Sequence, residues 1–185
     1  MRITSAFSAA AGVRPATLRE VLSAREDRAR RQKILLSRYG GSVISFTPVA
    51  PGPEKTGPRF RKIHEAGCEA ILDALFRAGM GVLHRESRSR PAGYESLFAV
   101  AGPPREVKRL VTAIEDNHRA GRLFDIDVVA GDGVPVSRGD LGLPRRSCLL
   151  CGGPSGDCAR SRAHPTEELL SRIDAILDAV SDGPG

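Results

Sequence analysis

The chain has no tryptophan, and aromatic residues make up only 4% of its 185 positions. Single-stranded nucleic acid is held on rows of stacking rings, so this scarcity argues against an RNA-binding role. Nothing approaches the roughly 20 apolar residues that a membrane-spanning helix requires. The first residues also lack the charged start, apolar run and cleavage site of a signal peptide. A soluble, cytoplasmic protein without a membrane partner is therefore expected. The four cysteines do not suggest a disulfide framework, because an intracellular chain is kept reduced, and nothing beside them marks a cysteine nucleophile. There is no internal repeat and no long low-complexity linker. What charge there is runs basic, with a formal net charge of +6 carried mostly by arginine rather than lysine. Guanidinium forks suit phosphate and carboxylate, so an anionic ligand or an acidic partner protein is implied. The plainer reading of the same excess is a solvated basic surface.

The length suffices for one domain with a proper core. Residues 1–185 are read as that single domain, with an N-terminal helix in 14–41, an α/β core in 42–130, and a Cys/His segment followed by a helix in 131–185. Residues 17–39 carry helically spaced Leu18, Val21, Leu22, Leu35, Leu36 and Tyr39. Two capping boxes, at Thr17 to Glu20 and at Ser23 to Glu26, allow a short turn before a longer helix that ends at Gly40 and Gly41. A β-rich run over 43–49 breaks into a Pro/Gly loop over 50–58. Phe60, Ile63, Ala70, Ile71, Ala74, Leu75 and Ala78 then recur at helical spacing, closed by Gly79 and Gly81. Strands are expected at 82–85 and 94–101, joined across 90–93. A helix starts at Pro103 and Pro104 with a stripe of Val107, Leu110, Val111 and Ile114, and a strand follows over 123–129.

From residue 42 the order is strand, helix, strand, strand, helix, strand. That is the split βαβ succession of a ferredoxin-like α+β fold, a four-stranded sheet with helices on one face. After a turn at Gly131, Asp132 and Gly133, residues 141–165 read as irregular. A last helix uses Leu169, Leu170, Ile173, Ile176, Leu177 and Val180, with residues 181–185 as a frayed tail.

Chemistry concentrates in three places. Asp125 and Asp127 stand two apart in the apolar stretch Leu123-Phe124-Asp125-Ile126-Asp127-Val128-Val129. Alternate residues of a strand share a face, so both carboxylates converge while Phe124, Ile126 and Val128 point to the core. Mg²⁺ takes one or two carboxylates and fills its shell with water and substrate phosphate, which points to phosphoryl or nucleotidyl transfer. Solvated aspartates on an edge strand are the alternative. Cations that would meet a triphosphate beside them are Arg122, with His118 and Arg119 just before it, and Lys55 in the loop where Gly52 permits close backbone approach.

The second place is Cys148, Cys151, Cys158 and His164, whose spacing fits a closed tetrahedral Zn²⁺ site pinning a loop without a core of its own. Reduced, partly buried cysteines are the competing reading, and Cys68 is most simply a core residue. The third is the charge run on the first helix, where Arg25, Arg28 and Arg31 recur at about one helical turn and share a face.

Read together, these segments resemble a known family. The matching stretches are Leu22-Ser23-Ala24-Arg25-Glu26-Asp27-Arg28 with Arg31 and Gln32, then Ser45-Phe46-Thr47 through Val49-Ala50-Pro51-Gly52-Pro53 and Lys55. They continue with Gly121-Arg122-Leu123-Phe124-Asp125-Ile126-Asp127-Val128, and with Leu143-Pro144-Arg145-Arg146 through Cys148-Leu149-Leu150-Cys151, Cys158-Ala159-Arg160 and His164. In this order they resemble the citrate lyase holo-acyl-carrier-protein synthases, or apo-citrate lyase phosphoribosyl-dephospho-CoA transferases (CitX). The resemblance implies a transferase. In it, a serine of the citrate lyase acyl carrier protein (the gamma subunit) attacks the α-phosphorus of 2′-(5″-triphosphoribosyl)-3′-dephospho-CoA, and diphosphate leaves. Asp125 and Asp127 would hold Mg²⁺, while Arg122 and Lys55 orient the triphosphate. Arg25, Arg28 and Arg31 would meet CoA phosphates or an acidic carrier. Two rivals stay open: the equivalent transferase for the malonate decarboxylase carrier, and a non-enzymatic zinc-stabilised module binding anions or nucleic acid.

Overall fold

The computed structural model describes residues 14–131 and 133–181. Its first element, α1 (Leu18–Tyr39), is one uninterrupted helix. The Thr17 hydroxyl accepts from the Glu20 N–H at 3.2 Å, and the Glu20 carboxylate accepts from the Thr17 N–H at 2.9 Å. That capping box satisfies two of the donors a helix start leaves open. The second box, at Ser23, lies inside the helix and does not break it.

The strands and helices that follow are β1 (Ser42–Pro48), α2 (Pro58–Arg77), β2 (Gly81–Arg90), β3 (Gly93–Ala101), α3 (Pro104–Asn117), β4 (Phe124–Val129), α4 (Ser155–Ser161) and α5 (Thr166–Ser181). The sheet order is β2-β3-β1-β4 with every neighbouring pair antiparallel. β3 thus fills the space between β1 and β2, and β1 fills that between β3 and β4. The α+β class and the element order agree with expectation. Three details differ. The hairpin is longer, its β2 strand pairing as far as Arg90 with Gly93. A 3-10 turn, Gly121–Leu123, precedes β4. The segment read as irregular contains α4. Asp132 of the expected turn and residues 182–185 of the expected tail fall outside the described residues.

One face of the sheet is dry. Ile44, Phe46, Phe98, Val100, Phe124, Ile126 and Val128 pack beneath Ile63, Ile71 and Leu75 of α2, Val107 and Val111 of α3, and Ile173 of α5. Each such side chain contributes about 1.5–3 kcal/mol by burial. Gly67 lets α2 lie directly on this layer, since a Cβ there would come within 2.6 Å of the Phe46 ring.

The opposite face was not assigned a helix by the strand and helix order. α1 covers it, but only at one end, where Leu35 and Leu36 meet Val43, Leu97, Ala99 and Val129. Towards the other end the strands turn polar, with Ser45 opposite Asp127 and Thr47 opposite Asp125. There α1 is held by charge instead of grease. Arg31, only 7% exposed, donates to Asp27 at 3.0 Å, to Glu86 at 2.6 Å and to Glu95. Asp27 in turn accepts from Arg88 at 2.8 Å and stands 3.2 Å from Arg90.

Candidate active site

Where α1 and the polar end of the sheet diverge, they leave a cavity of about 950 Å³. Its walls are the first half of α1, the loop after β1, the β2–β3 turn, the start of β4, and the segment from Arg146 to α5. The volume suits a large, extended ligand.

The aspartates reach this region because β4 is fixed from outside. The Ile126 N–H donates to Glu115 of α3 at 3.1 Å, and Lys108 of α3 donates to the Ile126 carbonyl at 2.8 Å. Ile126 is the residue between the two acids, so its backbone anchors both. Burial alternates as the sequence pattern implies, with Phe124, Ile126 and Val128 buried and Asp125 and Asp127 exposed on the α1 face. Asp125 lines the cavity, whereas Asp127 lies on the same face outside its lining. Protein packed around the strand, and then Asp125, push the Asp127 carboxyl above the usual carboxylate range, and Lys108 opposes them. Two carboxylates on one face, open to solvent, fit a hard divalent cation that keeps part of its water.

Arg146, not singled out in the sequence, joins the acids to the C-terminal segment. Its guanidinium lies 3.5 Å from Glu115 and 3.8 Å from Asp125, and it donates to the Arg122 carbonyl at 2.6 Å. Arg122 donates to the Ser147 hydroxyl at 2.9 Å and to the Ser147 carbonyl at 2.8 Å. Arg122 therefore both lines the cavity and secures its wall. Lys55 lines the cavity too, donating to the Ala50 carbonyl at 2.5 Å. Burial first, then the neighbouring Arg25, lower the Lys55 pKa. Crowded cations without acid partners are what an anion relieves. Gly52, at φ +77, makes its close approach to protein: a Cβ there would stand 2.7 Å from the Thr166 methyl.

The arginine stripe divides. Arg25 and Arg28 line the cavity, with Arg28 3.7 Å from Glu95. Arg31 corrects the expectation of a shared docking face, because its charge is consumed in the buried network beneath α1. His118 departs from it as well. It caps α3, its Nδ1 accepts from the Ala120 N–H at 3.1 Å, and its ring packs 5.1 Å from that of Phe124 on the dry face.

In the C-terminal wall, the Cys148, Cys151 and Cys158 sulfurs and a His164 nitrogen lie within 4.8 Å of one another. Ligands about 3.8 Å apart surround a tetrahedral ion with Zn–S bonds of ~2.3 Å, so the set is near that arrangement. His164 Nε2 is buried without a hydrogen-bond partner among the described residues, as a metal-directed nitrogen would be. Burial raises the Cys148 pKa, but N–H groups of Cys151 and Leu150 and the neighbouring thiols outweigh it, bringing the thiol down to about 6. Hydrogen bonding with Cys151 helps push Cys158 up to about 11. Cys68 is buried on α2 as a core residue, 3.2 Å from the Ser96 hydroxyl.

Fold and site together define an α+β protein whose cationic cavity opens beside a pair of strand carboxylates. Residues 16–180 match the sequence model of the family described as apo-citrate lyase phosphoribosyl-dephospho-CoA transferase. The chain belongs to this family. It is 37% identical over 161 residues to the protein of that name from Escherichia coli O139:H28, covering 87% of this chain and 88% of that one. The Citrobacter koseri protein is 37% identical over 158 residues, covering 85% and 86%. The Shigella boydii serotype 18 protein is 36% identical over 161 residues, covering 87% and 88%. Among the described residues no helix is long and apolar enough to cross a membrane.

Proposed function

We propose that this chain transfers the 2′-(5″-phosphoribosyl)-3′-dephospho-CoA group from 2′-(5″-triphosphoribosyl)-3′-dephospho-CoA to a serine of the citrate lyase acyl carrier protein. The serine oxygen forms a bond to the α-phosphorus, the α–β phosphoanhydride bond breaks, and diphosphate leaves. The observation that carries this reading is a cavity shared by Asp125 and by cations from three separate segments, Arg25, Lys55 and Arg122, in a member of this family. Asp125 and Asp127 hold Mg²⁺, which when bound offsets charge on the triphosphate and on the departing diphosphate. Lys55 and Arg25 attract and orient the phosphates, and Arg122 and Arg146 keep the wall beside Asp125 in place.

Intact-mass measurement of the apo carrier subunit, with this protein, the triphosphate donor and Mg²⁺, tests the reading. A gain equal to the prosthetic group, with diphosphate released, is expected. An unchanged carrier mass sends the reading to the binding-module alternative. In the same proposal Cys148, Cys151, Cys158 and His164 hold one structural Zn²⁺, giving residues 148–164 the cross-link that their small share of core does not provide. Elemental analysis of protein purified without chelator should return about one zinc per chain. Metal-free protein of unaltered stability would leave the cysteines simply reduced.

A further inference from the structure

Arg162 is the sole residue other than glycine with positive φ among the described residues, at φ 49 and ψ 45. It ends α4. Its N–H and that of Ala163 both donate to the Cys158 carbonyl, which reverses the chain and returns His164 towards the cysteines. The reversal explains the left-handed conformation. It does not explain arginine, because glycine takes this conformation without the Cβ clash and is the favoured residue at such helix ends.

The side chain supplies the missing reason. It lines the large cavity, and its guanidinium makes no hydrogen bond or ion pair among the described residues. Nearby Arg160 is different, being paired with Asp157. Arg25 and Lys55 line the same space without an acid partner. A strained position has therefore been given a long cation whose charge the protein itself leaves unused.

We infer that Arg162 is a substrate-binding residue that grips a phosphate oxyanion from the wall formed by α4 and the start of α5. The inference rests on the proposed function for the identity of the substrate, which carries phosphate at two places: the triphosphate and the diphosphate of the dephospho-CoA portion. Standing between Cys158 and His164, the arginine is aimed by the same turn that gathers the cysteine and histidine group.

The test separates conformation from charge. Arg162→Gly and Arg162→Asn keep a residue that tolerates the left-handed region, and Arg162→Lys keeps the charge. Thermal melting, calorimetric binding of inorganic triphosphate and of dephospho-CoA, and KM for the donor are measured for each. The Gly and Asn variants should melt no lower than the parent, yet bind at least one probe roughly 10- to 100-fold more weakly, the range of one charged hydrogen bond. The Lys variant should fall between. Loss confined to inorganic triphosphate assigns the arginine to that end, and loss confined to dephospho-CoA assigns it to the diphosphate. Unchanged affinity for both probes in the Gly and Asn variants overturns the inference, as does a parent protein that binds neither. A parent that binds the probes but modifies no carrier removes the proposed function and leaves Arg162 standing. A parent that modifies the carrier, alongside Gly and Asn variants of parental affinity, removes Arg162 alone.

Discussion

The two faces of the sheet use the same strands for opposite ends. Beneath α2, α3 and α5, alternate residues of β1, β3 and β4 form a continuous apolar layer. Beneath α1, the next residues along β1 and β4 change from Val43 and Val129 to Ser45 and Asp127, then to Thr47 and Asp125. The first face supplies stability. The second gives up apolar packing over half its length, and the cavity opens at that polar end. Charge substitutes for apolar contact at the boundary, where Arg31 ties α1 to Glu86 and Glu95.

That contrast is open to attack from several sides. Arg31→Ala should have the largest effect, about 3–5 kcal/mol of stability, because it strands buried carboxylates without their partner. A urea midpoint near that of the parent would mean the wet face is not held by this network. Next comes His64, buried on the dry face. Burial lowers the His64 pKa to about 4 from 6.5, with Arg85 contributing. The unfolded chain therefore takes up the proton first. His64's contribution is complete above pH 6.5 and is lost as pH falls from 6.5 towards 4, by roughly 3 kcal/mol. Unfolding free energies across that window should show the slope in the parent and lose it in His64→Gln.

On the wet face, Asp125→Asn should reduce carrier modification roughly a hundredfold or more while shifting stability by no more than about 0.5 kcal/mol. A large drop in melting temperature would show instead that this carboxylate supports the fold. The smallest effect belongs to the rim. Arg25→Ala should raise the donor KM about two- to fivefold, the ~0.2–1 kcal/mol of an exposed ionic contact, and added salt should narrow the difference.

What could be read in the sequence followed the range of the interactions involved. Period-two alternation around Asp125 and Asp127, the Thr17 cap and the Pro/Gly punctuation are local, and they fixed β4, the start of α1 and the element order. Arg31 was misjudged because its partners lie on β2 and β3, 55 and 64 residues away. A charge run on a helix looks the same whether the acids opposite it exist or not. Arg146, Glu115 and Lys108 escaped notice for a related reason: each acts on β4 from another element, and nothing in their own neighbourhoods marks it. His118 was drawn into the site by adjacency to Arg122, but a residue capping α3 points to the far side of the strand that follows. α4 was missed because its seven residues, Ser155–Ser161, have no apolar periodicity to reveal a helix.

The grip of α3 on β4 has a consequence for how copies of this protein treat one another. β4 is the last strand of the sheet, and a last strand normally offers a ladder of unpaired backbone groups to any passing chain. Here Lys108 and Glu115, both buried, already occupy the outward carbonyl and N–H of Ile126. An invading strand would have to displace both from these bonds. At the opposite edge, β2, Arg88 and Arg90 are engaged with Asp27 of α1. The β4 border of the sheet is thus blocked at Ile126 against strand addition, and shortening Glu115 would loosen β4 and unlock it.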